Sequence, residues 1–262
     1  RRLKAIRNWV YWKLVEHKVI NEADGILFTC EAELLLAREP FRPYHPKREL
    51  NVGYGIQEPP AFTPGMRDTF AKQCPQIGDK PYILYLSRVH EKKGVDMLIK
   101  AYARIRKPDT PMLVIAGPGM ESAYGQKLIE LVKQNHLEEF ILFAGMVIGD
   151  AKWGAFYGCD CFILPSHQEN FGIAVVEALA CGKTVLISNQ VNIWREIKAA
   201  GAGIVANNTE EGCLELLKKW NELNEYEKQE MSEMARQCFE RLYAIGPAAS
   251  LLLKTFQNEM TQ

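Results

Sequence analysis

The chain has 262 residues, and its 32 basic and 32 acidic side chains give a formal net charge of zero at pH 7. This balance supplies no overall electrostatic attraction to nucleic acid, so we expect no nucleic-acid partner. Hydrophobic residues make up 47% of the chain, enough to build buried cores in one large domain or two. No apolar run approaches the roughly 18 residues of a transmembrane helix.

The chain contains seven cysteines, an odd number, and several of them lie inside apolar runs. They are Cys30, Cys74, Cys159, Cys161, Cys181, Cys213 and Cys238. No C-x-x-C pair occurs, and Cys159 and Cys161 alternate along a predicted strand, which favours packing over a metal site. No signal peptide is visible. These features predict reduced thiols and a cytoplasmic protein without a bound metal or other cofactor.

Residues 3–20 carry apolar side chains at close to helical spacing, with basic residues between them. The apolar positions are Leu3, Ile6, Trp9, Val10, Leu14 and Val15, and the basic ones are Arg1, Arg2, Lys4, Arg7, Lys13 and Lys18. This pattern predicts a basic amphipathic helix. Two interpretations stay open: peripheral contact with an anionic membrane or a lipid-linked acceptor at the inner face of the membrane, or a solvated helix packed on a sheet.

The next segment is predicted to contain short elements and then a linker. A buried strand is predicted at residues 23–29, a helix at residues 31–39 that stops at Pro40, and a further strand at residues 50–52. Residues 53–80 are rich in proline and glycine, which predicts loop and linker and makes this stretch the domain boundary.

From residue 81 onward, short apolar runs alternate with segments of helical periodicity. The predicted strands are residues 82–87, 112–116, 140–144, 161–164, 184–188 and 203–205. Helices are predicted at residues 94–106, 123–135, 150–157 and 172–181, around Trp194, and in three segments between Glu210 and Gln262. The alternation indicates an α/β domain with a doubly wound, Rossmann-like parallel sheet of about six strands, whose ligands bind at the carboxyl ends of the strands.

The stretch at residues 164–183 reads LPSHQENFGIAVVEALACGK: a strand, a polar turn and a helix opened by a glycine. Free backbone N–H groups near Phe171, Gly172 and Ile173, together with the helix dipole, suit a phosphate. Glu169 lies just before this helix, where it is either a helix cap or a ligand-binding carboxylate.

Glu177 stands out in the same helix because its neighbours are apolar. A carboxylate in such surroundings needs a hydrogen-bonding partner. A ribose diol is a good candidate for that partner, and a purely structural hydrogen bond is the alternative.

Polar or glycine-rich turns follow four of the predicted strands and therefore share one rim of the sheet. They are Arg88 and Lys93 after the first strand, Gly117–Gly119 with Glu121 after the second, Gly145–Ile148 after the third and Glu169–Gly172 after the fourth. Two cations and a helix N-terminus suit a diphosphate, and a nearby carboxylate suits a sugar diol, which together predict a nucleotide-diphosphate-sugar site. The alternative for Arg88 or Lys93 is a role in a surface ion pair. His90 and His167 are either candidate bases or ordinary loop residues.

Four motifs on this rim resemble those of a known family. They are S-R-V-H-E-K-K-G (residues 87–94), A-G-P-G-M-E (116–121), F-A-G-M-V (143–147) and P-S-H-Q-E-N-F-G-I-A-V-V-E-A-L-A-C-G (165–182). Together they resemble the C-terminal, donor-binding part of a retaining GT-B glycosyltransferase of family 4, the glycosyl transferases group 1. The resemblance covers roughly residues 20–245.

The resemblance implies a role for each residue. It implies that Arg88 and Lys93 bind the diphosphate and act in catalysis together with Glu169, which contacts the donor sugar. Glu177 would hold the ribose, and the backbone of Phe171–Ile173, which includes Gly172, would serve phosphate and sugar. The remaining donor contacts are Gly117, Met146, Val147 and Asn170, of which Met146 and Val147 would face the base.

The reaction implied by the resemblance is transfer of a sugar from a nucleotide-diphosphate-sugar, with a UDP-sugar as first expectation, to a hydroxyl of a sugar or lipid-linked acceptor. The family implies retention of the anomeric configuration and a role in polysaccharide, lipopolysaccharide or glycolipid synthesis. Negative charge builds on the leaving phosphate, and the guanidinium, the ammonium and the helix terminus can stabilise it without a metal. No D-x-D metal motif occurs in the chain.

The resemblance also predicts how the chain divides. Residues 1–52 would end an N-terminal, acceptor-side Rossmann-like domain, residues 53–80 would be the interdomain linker, and residues 81–245 the nucleotide-sugar-binding domain. Residues 246–262 would form a helix that crosses back to the first domain. Because the chain begins without methionine inside a predicted helix, we expect further sequence upstream.

Two other functions are alternatives to glycosyl transfer. A nicotinamide-dependent oxidoreductase predicts G-x-G-x-x-G after the first strand, whereas the turn after Ser87 has no glycine until Gly94. A non-catalytic nucleotide-sugar-binding module is favoured if the acceptor-side domain is absent, because half a cleft cannot hold both substrates.

Overall fold

The structure is a computed structural model that describes residues 2–39 and 42–260. Outside the described residues lie Arg1, Pro40, Phe41, Thr261 and Gln262. The predicted contribution of Arg1 to the basic helix and the predicted helix stop at Pro40 therefore fall outside them. The described residues form two compact units, one built from those up to Gly55 together with those from Ile245 onward, and the other from residues 56–244.

Within the described residues, the strands form two parallel sheets. In chain order they are β1 (Ile26–Phe28), β2 (Glu49–Asn51), β3 (Tyr82–Leu86), β4 (Met112–Ala116), β5 (Ile141–Gly145), β6 (Cys161–Leu164), β7 (Val185–Ser188) and β8 (Gly203–Ala206). β1 and β2 make the smaller sheet, and the other six strands make the larger one in the spatial order β5–β4–β3–β6–β7–β8. The predicted six-stranded, doubly wound parallel sheet is confirmed.

Helices connect these strands. They are α1 (Arg2–Tyr11), α2 (His17–Glu22), α3 (Glu31–Ala37), α4 (Pro64–Gln73), α5 (Val95–Ile105), α6 (Ala123–Gln134), α7 (Gly149–Gly158), α8 (Ile173–Ala180), α9 (Trp194–Ala199), α10 (Glu210–Glu222), α11 (Glu225–Cys238) and α12 (Ile245–Met260). Short π-helical turns join α1 to α2 (Trp12–Glu16) and follow α11 (Phe239–Tyr243), and a 3₁₀ turn (Glu91–Lys93) precedes α5.

The core of the larger sheet explains why its strands read as continuous apolar runs. Ile83, Leu84 and Tyr85 are consecutive residues of β3, and all three are completely buried. Since successive side chains of a strand point to opposite faces, both faces of the sheet must be covered. β3 lies between β4 and β6, so the strand order changes direction beside β3, and such a position leaves a crevice at the carboxyl ends of the strands.

The prediction that residues 53–80 are only loop and linker is wrong, because helix α4 lies within this stretch. The sequence suggested a linker because prolines cluster there, but Pro64 occupies the first turn of α4, where a proline is favourable. The buried side chains of Met66 and Phe70 pack α4 against α7. At the contact, a Cβ atom on Gly154 would overlap Met66 O, so only glycine permits this close approach.

In the smaller unit, Leu27 of β1 pairs with Leu50 of β2, and helical structure runs from Arg2 to Glu22, which agrees with the helix predicted at residues 3–20. Phe28 of β1 is buried, whereas Leu27 is 45% exposed, so the strand that the sequence predicted as buried is buried only in part. Apolar side chains such as Leu3 and Leu14 are largely exposed. Among the described residues, no helix combines the length and apolar character needed to cross a membrane.

We predict that Gly154→Ala destabilises the larger unit, although alanine normally favours a helix. The new methyl group overlaps the backbone of α4, and such overpacking costs about 1–3 kcal/mol of the free energy of unfolding. Gly65→Ala is the matched control, because its Cβ would lie 3.9 Å from the nearest atom. Urea unfolding followed by circular dichroism measures both variants, and a Gly154→Ala variant as stable as the parent would contradict the packing described here.

Candidate functional site

The loops at the carboxyl edge of the larger sheet are joined to one another by main-chain hydrogen bonds. In sheet order, the bonds run from Gly117 N to Gly145 O (2.7 Å), Val89 N to Pro118 O (2.8 Å), His167 N to Lys92 O (2.8 Å), Glu169 N to Gln190 O (3.0 Å) and Asn189 N to Ala206 O (2.8 Å). Each neighbouring loop thereby satisfies polar groups of the next. The sequence-predicted residues consequently lie on one continuous rim.

Gly117 allows two neighbouring loops of this rim to pack closely together. Its φ angle is 133°, and a Cβ atom would overlap Ser87 O in the loop after β3. Its N–H donates to Gly145 O, so that group is already used. Gly117 was predicted to contact the donor, and any such contact has to use its Cα or carbonyl group.

The loop after β3 places Arg88 at the open side of the rim. The Arg88 side chain is exposed, and within the described residues its guanidinium makes no hydrogen bond or ion pair. It lines a cleft of about 480 Å³ together with Gly119, Glu121 and Tyr124. The loop closes at Gly94, whose φ of 70° and close approach to Pro165 O both require glycine.

Lys93 and Glu169 form an ion pair between the loops after β3 and β6. Their side chains are only 12% and 20% exposed, so this is not the surface pair that was the alternative for Lys93. The backbone of Glu169 is fixed on both sides, by Gln190 O and by the N–H of Asn192. The structure thus brings together the two residues predicted to meet the diphosphate and the donor sugar.

Helix α8 begins beside this pair, at Gly172, whose φ of 78° lies in the left-handed region. Gly172 O accepts from Val175 N at 2.8 Å, which leaves the N–H groups of Ile173 and Ala174 without an acceptor inside the helix. Gly172 has no side chain with which to cap the helix, and the Glu169 carboxylate, the capping candidate, is paired with Lys93 instead. Phe171 is buried with its ring 5.7 Å from that of Tyr243, and Ile173 is half exposed.

Glu177, in the second turn of α8, has a charged partner that the sequence did not reveal. Its Oε1 atom accepts from Lys152 Nζ at 2.8 Å, and the two side chains are 15% and 24% exposed. The ammonium also lies 4.0 Å from the centroid of the Trp153 ring. Lys152 stands in the first turn of α7, so its place near the rim follows from the strand pattern, but no spacing rule connects it to Glu177.

The loop after β5 carries Met146 and Val147, the residues predicted to face the base. The Met146 side chain is 63% exposed and that of Val147 is buried. Gln73, at the end of α4, donates from Nε2 to Ala144 O at 3.1 Å and to Met146 O at 2.9 Å. This contact was not predicted from the sequence because Gln73 lies in the stretch that was assigned to the linker.

The polar side chains next to the rim have local partners. Asn170 Oδ1 accepts from Asn192 Nδ2 at 3.0 Å, which ties the turn before α8 to the loop after β7. His90 Nδ1 accepts from Lys92 N at 3.1 Å and so caps the 3₁₀ turn. The exposed His167 ring lies 3.4 Å from Asn208 Nδ2. Both histidines therefore have structural roles that stand beside the base hypothesis.

The thiols do not contribute a nucleophile. All seven cysteines are buried, and burial raises the pKa of the Cys159 and Cys181 thiols to about 12. At neutral pH these groups are protonated and unreactive. Among the residues that the structure describes, no group of three or more histidine, cysteine or acidic side chains could hold a metal ion.

The family model described as "Glycosyl transferases group 1" matches residues 66–237.

Two curated relatives show partial similarity. An uncharacterized glycosyltransferase of Methanocaldococcus jannaschii is 33% identical over 126 residues, which cover 48% of this chain and 32% of the relative. The D-inositol 3-phosphate glycosyltransferase of Mycolicibacterium smegmatis is 27% identical over 179 residues, 65% of this chain and 39% of the relative. The chain therefore spans less than half the length of these relatives.

A solved structure shares the fold. The Anabaena protein HepE in complex with UDP-glucose superposes with a TM-score of 0.79 at 16% identity, over 93% of this chain and 66% of that one. Similarity at this identity establishes the fold and leaves function to the geometry of the site.

Proposed function

Because the chain belongs to the glycosyl transferases group 1 family, as its motifs suggested, we propose that it binds a nucleotide-diphosphate-sugar on the rim of the larger sheet and transfers the sugar to an acceptor hydroxyl. The observation that carries this proposal is the partly buried pair of Lys93 and Glu169 at the N-terminus of α8, with Glu177 further along the same helix. One cation, two carboxylates and a helix terminus on one surface match a diphosphate flanked by two sugars.

The diphosphate is the first part of the proposed donor. Arg88 is exposed beside the rim with no side-chain partner among the described residues, so it can turn to a phosphate without breaking an existing bond. Lys93 and the first N–H groups of α8 converge on the same region. As the nucleoside diphosphate leaves, these groups stabilise the charge that develops on it, and this requires no metal ion.

The nucleoside is the second part. We assign the ribose to Glu177, whose Oε2 atom has no hydrogen bond with any described residue, and the base to the loop at Met146 and Val147. Uridine is the proposed nucleoside, and the fold shared with a protein solved in complex with UDP-glucose supports it.

The transfer itself is proposed to retain the anomeric configuration. Glu169 contacts the donor sugar; the bond from the anomeric carbon to the diphosphate oxygen breaks, and a bond to the acceptor oxygen forms on the same face. The acceptor proton passes to the departing phosphate, so no protein base is needed to deprotonate the acceptor hydroxyl. The proposed products belong to polysaccharide, lipopolysaccharide or glycolipid synthesis.

The basic helix supports a proposal about location. In α1, apolar side chains such as Leu3 and Ile6 are exposed beside Lys4 and Arg7, an arrangement that suits the headgroup region of an anionic bilayer. We place the protein in the cytoplasm, in peripheral contact with the inner face of the membrane, where a lipid-linked acceptor is available.

We predict that the protein binds UDP in isothermal titration calorimetry, more tightly than GDP or ADP. Glu177→Ala and Lys93→Ala should each weaken UDP binding by about 1–3 kcal/mol, because each removes a hydrogen bond to a charged group. Glu215→Ala is the control, since it also breaks a lysine–glutamate pair, with Lys219, but on the exposed surface of α10. Unchanged affinity in both site variants would overturn the assignment of the site.

We also predict turnover that does not depend on a metal. Incubation of the full-length protein with a panel of UDP-sugars and sugar or lipid-linked acceptors should release UDP at the same rate with and without EDTA, and proton NMR of the product should show the anomeric configuration of the donor. Release that EDTA abolishes, or an inverted product, would contradict the proposed mechanism.

For the membrane contact, we expect the protein to sediment with vesicles that contain phosphatidylglycerol and not with pure phosphatidylcholine vesicles. The variant Lys4→Glu/Arg7→Glu should lose this binding, because each basic residue near an anionic surface contributes about 1 kcal/mol. Lys218→Glu/Lys219→Glu, on α10, makes the same change in charge elsewhere. Equal sedimentation of both variants would argue against contact through α1.

A further inference from the structure

Lys152 and Glu177 form an ion pair that is partly shielded from water and partly exposed to it. Their side chains are 24% and 15% exposed, and Lys152 Nζ lies 2.8 Å from Glu177 Oε1. Shielding strengthens the attraction between the charges compared with a fully exposed pair. The remaining exposure leaves part of each side chain in contact with solvent.

The ammonium group is oriented before any ligand binds. Nζ lies 4.0 Å from the centroid of the Trp153 ring, so a cation–π contact holds it from a second direction. Lys152 and Trp153 are neighbours in the first half of α7, which fixes the positions of both backbones. A side chain fixed in this way loses little conformational entropy on binding.

Each member of the pair keeps unused hydrogen-bonding capacity. A lysine ammonium has three N–H donors, and one of them serves Glu177 Oε1. Glu177 Oε2 accepts no hydrogen bond from any described residue. The pair therefore offers a donor and an acceptor side by side, and a hydroxyl group, which both donates and accepts, is the group that matches them.

We propose that Lys152 is a specificity-determining residue that, together with Glu177, recognises the ribose hydroxyls of the bound nucleotide. Glu177 Oε2 accepts from one hydroxyl, and the Lys152 ammonium donates to a hydroxyl oxygen of the same diol. This inference rests on the proposed nucleotide-sugar function and adds a residue and a selectivity to it: the site prefers ribonucleotides to deoxyribonucleotides. Lys152 also holds the Glu177 carboxylate in the orientation that receives the diol.

A purely structural role for Lys152 makes a different prediction. If the ammonium only neutralised Glu177, its loss would lower the stability of the protein and weaken every nucleotide by the same factor. A role in recognising hydroxyls instead changes the ratio of the affinities for nucleotides with and without the hydroxyl. That ratio is insensitive to a general loss of folded protein.

The test uses calorimetry with UDP, 2′-deoxy-UDP and 3′-deoxy-UDP on four proteins: the parent chain, Lys152→Met, Lys152→Arg and the control Lys219→Met, which breaks an exposed lysine–glutamate pair. The parent and the control should bind UDP at least about tenfold more tightly than one of the deoxy analogues, the loss expected for a hydrogen bond to a charged group. In Lys152→Met this ratio should fall toward one, and in Lys152→Arg, which keeps a charged donor, it should be partly preserved.

Other outcomes separate the two proposals. A parent ratio of one, or a ratio that Lys152→Met leaves unchanged, overturns the role of Lys152 while UDP binding itself stands. A parent protein that binds none of the nucleotides overturns the proposed function and this inference together. Melting temperatures of all four proteins, measured alongside, show whether a uniform loss of affinity in Lys152→Met reflects instability, and a uniform loss also overturns the inference.

Discussion

Close contact between neighbouring loops at the carboxyl ends of the six parallel strands is the constraint on which the rest of the site depends. The chain turns away from the sheet after every strand, and its polar backbone groups need partners there. Glycines permit those partners to be adjacent loops: Gly94 passes against Pro165 O and Gly117 against Ser87 O, where any side chain would overlap backbone. The result is a surface stiff enough to hold charged side chains in fixed positions.

Two ion pairs use that surface in the same way. Lys93 holds Glu169 and Lys152 holds Glu177, each pair bridges two different loops or helices, and each is mostly shielded from water. A buried carboxylate without such a partner would carry a large desolvation penalty. Each carboxylate therefore has a charged partner that offsets part of this penalty, and each pair keeps part of its surface exposed to solvent.

Much of this arrangement could be predicted from the sequence, and the limit has a physical cause. Strands such as β3 can be predicted because burial on both faces requires consecutive apolar residues. The shared rim can be predicted because parallel strands end at one edge of the sheet. The positions of Lys93 and Glu169 could be predicted for that reason, and Glu177 could be singled out because its neighbours in the helix are apolar. The contacts that Lys152 and Gln73 make at the site could not be predicted. These residues reach the site through the packing of α7 and α4, which no local spacing in the sequence encodes. Helix α4 was missed because proline marks both linkers and helix starts.

The pairing of Lys93 with Glu169 has a consequence for how the two halves of a donor communicate. A ligand that binds Lys93 or Glu169 has to replace the ion pair that these two side chains already form. If Lys93 turns to a diphosphate, Glu169 is left without its cation, and sugar hydroxyls can then occupy it. A nucleoside diphosphate without its sugar would leave the Glu169 carboxylate without a partner. A free sugar would meet a Glu169 carboxylate that is still paired with Lys93. For the proposed donor, only the intact molecule would supply a partner for both side chains, so this single ion pair would couple the free energies with which the two ends of the donor bind.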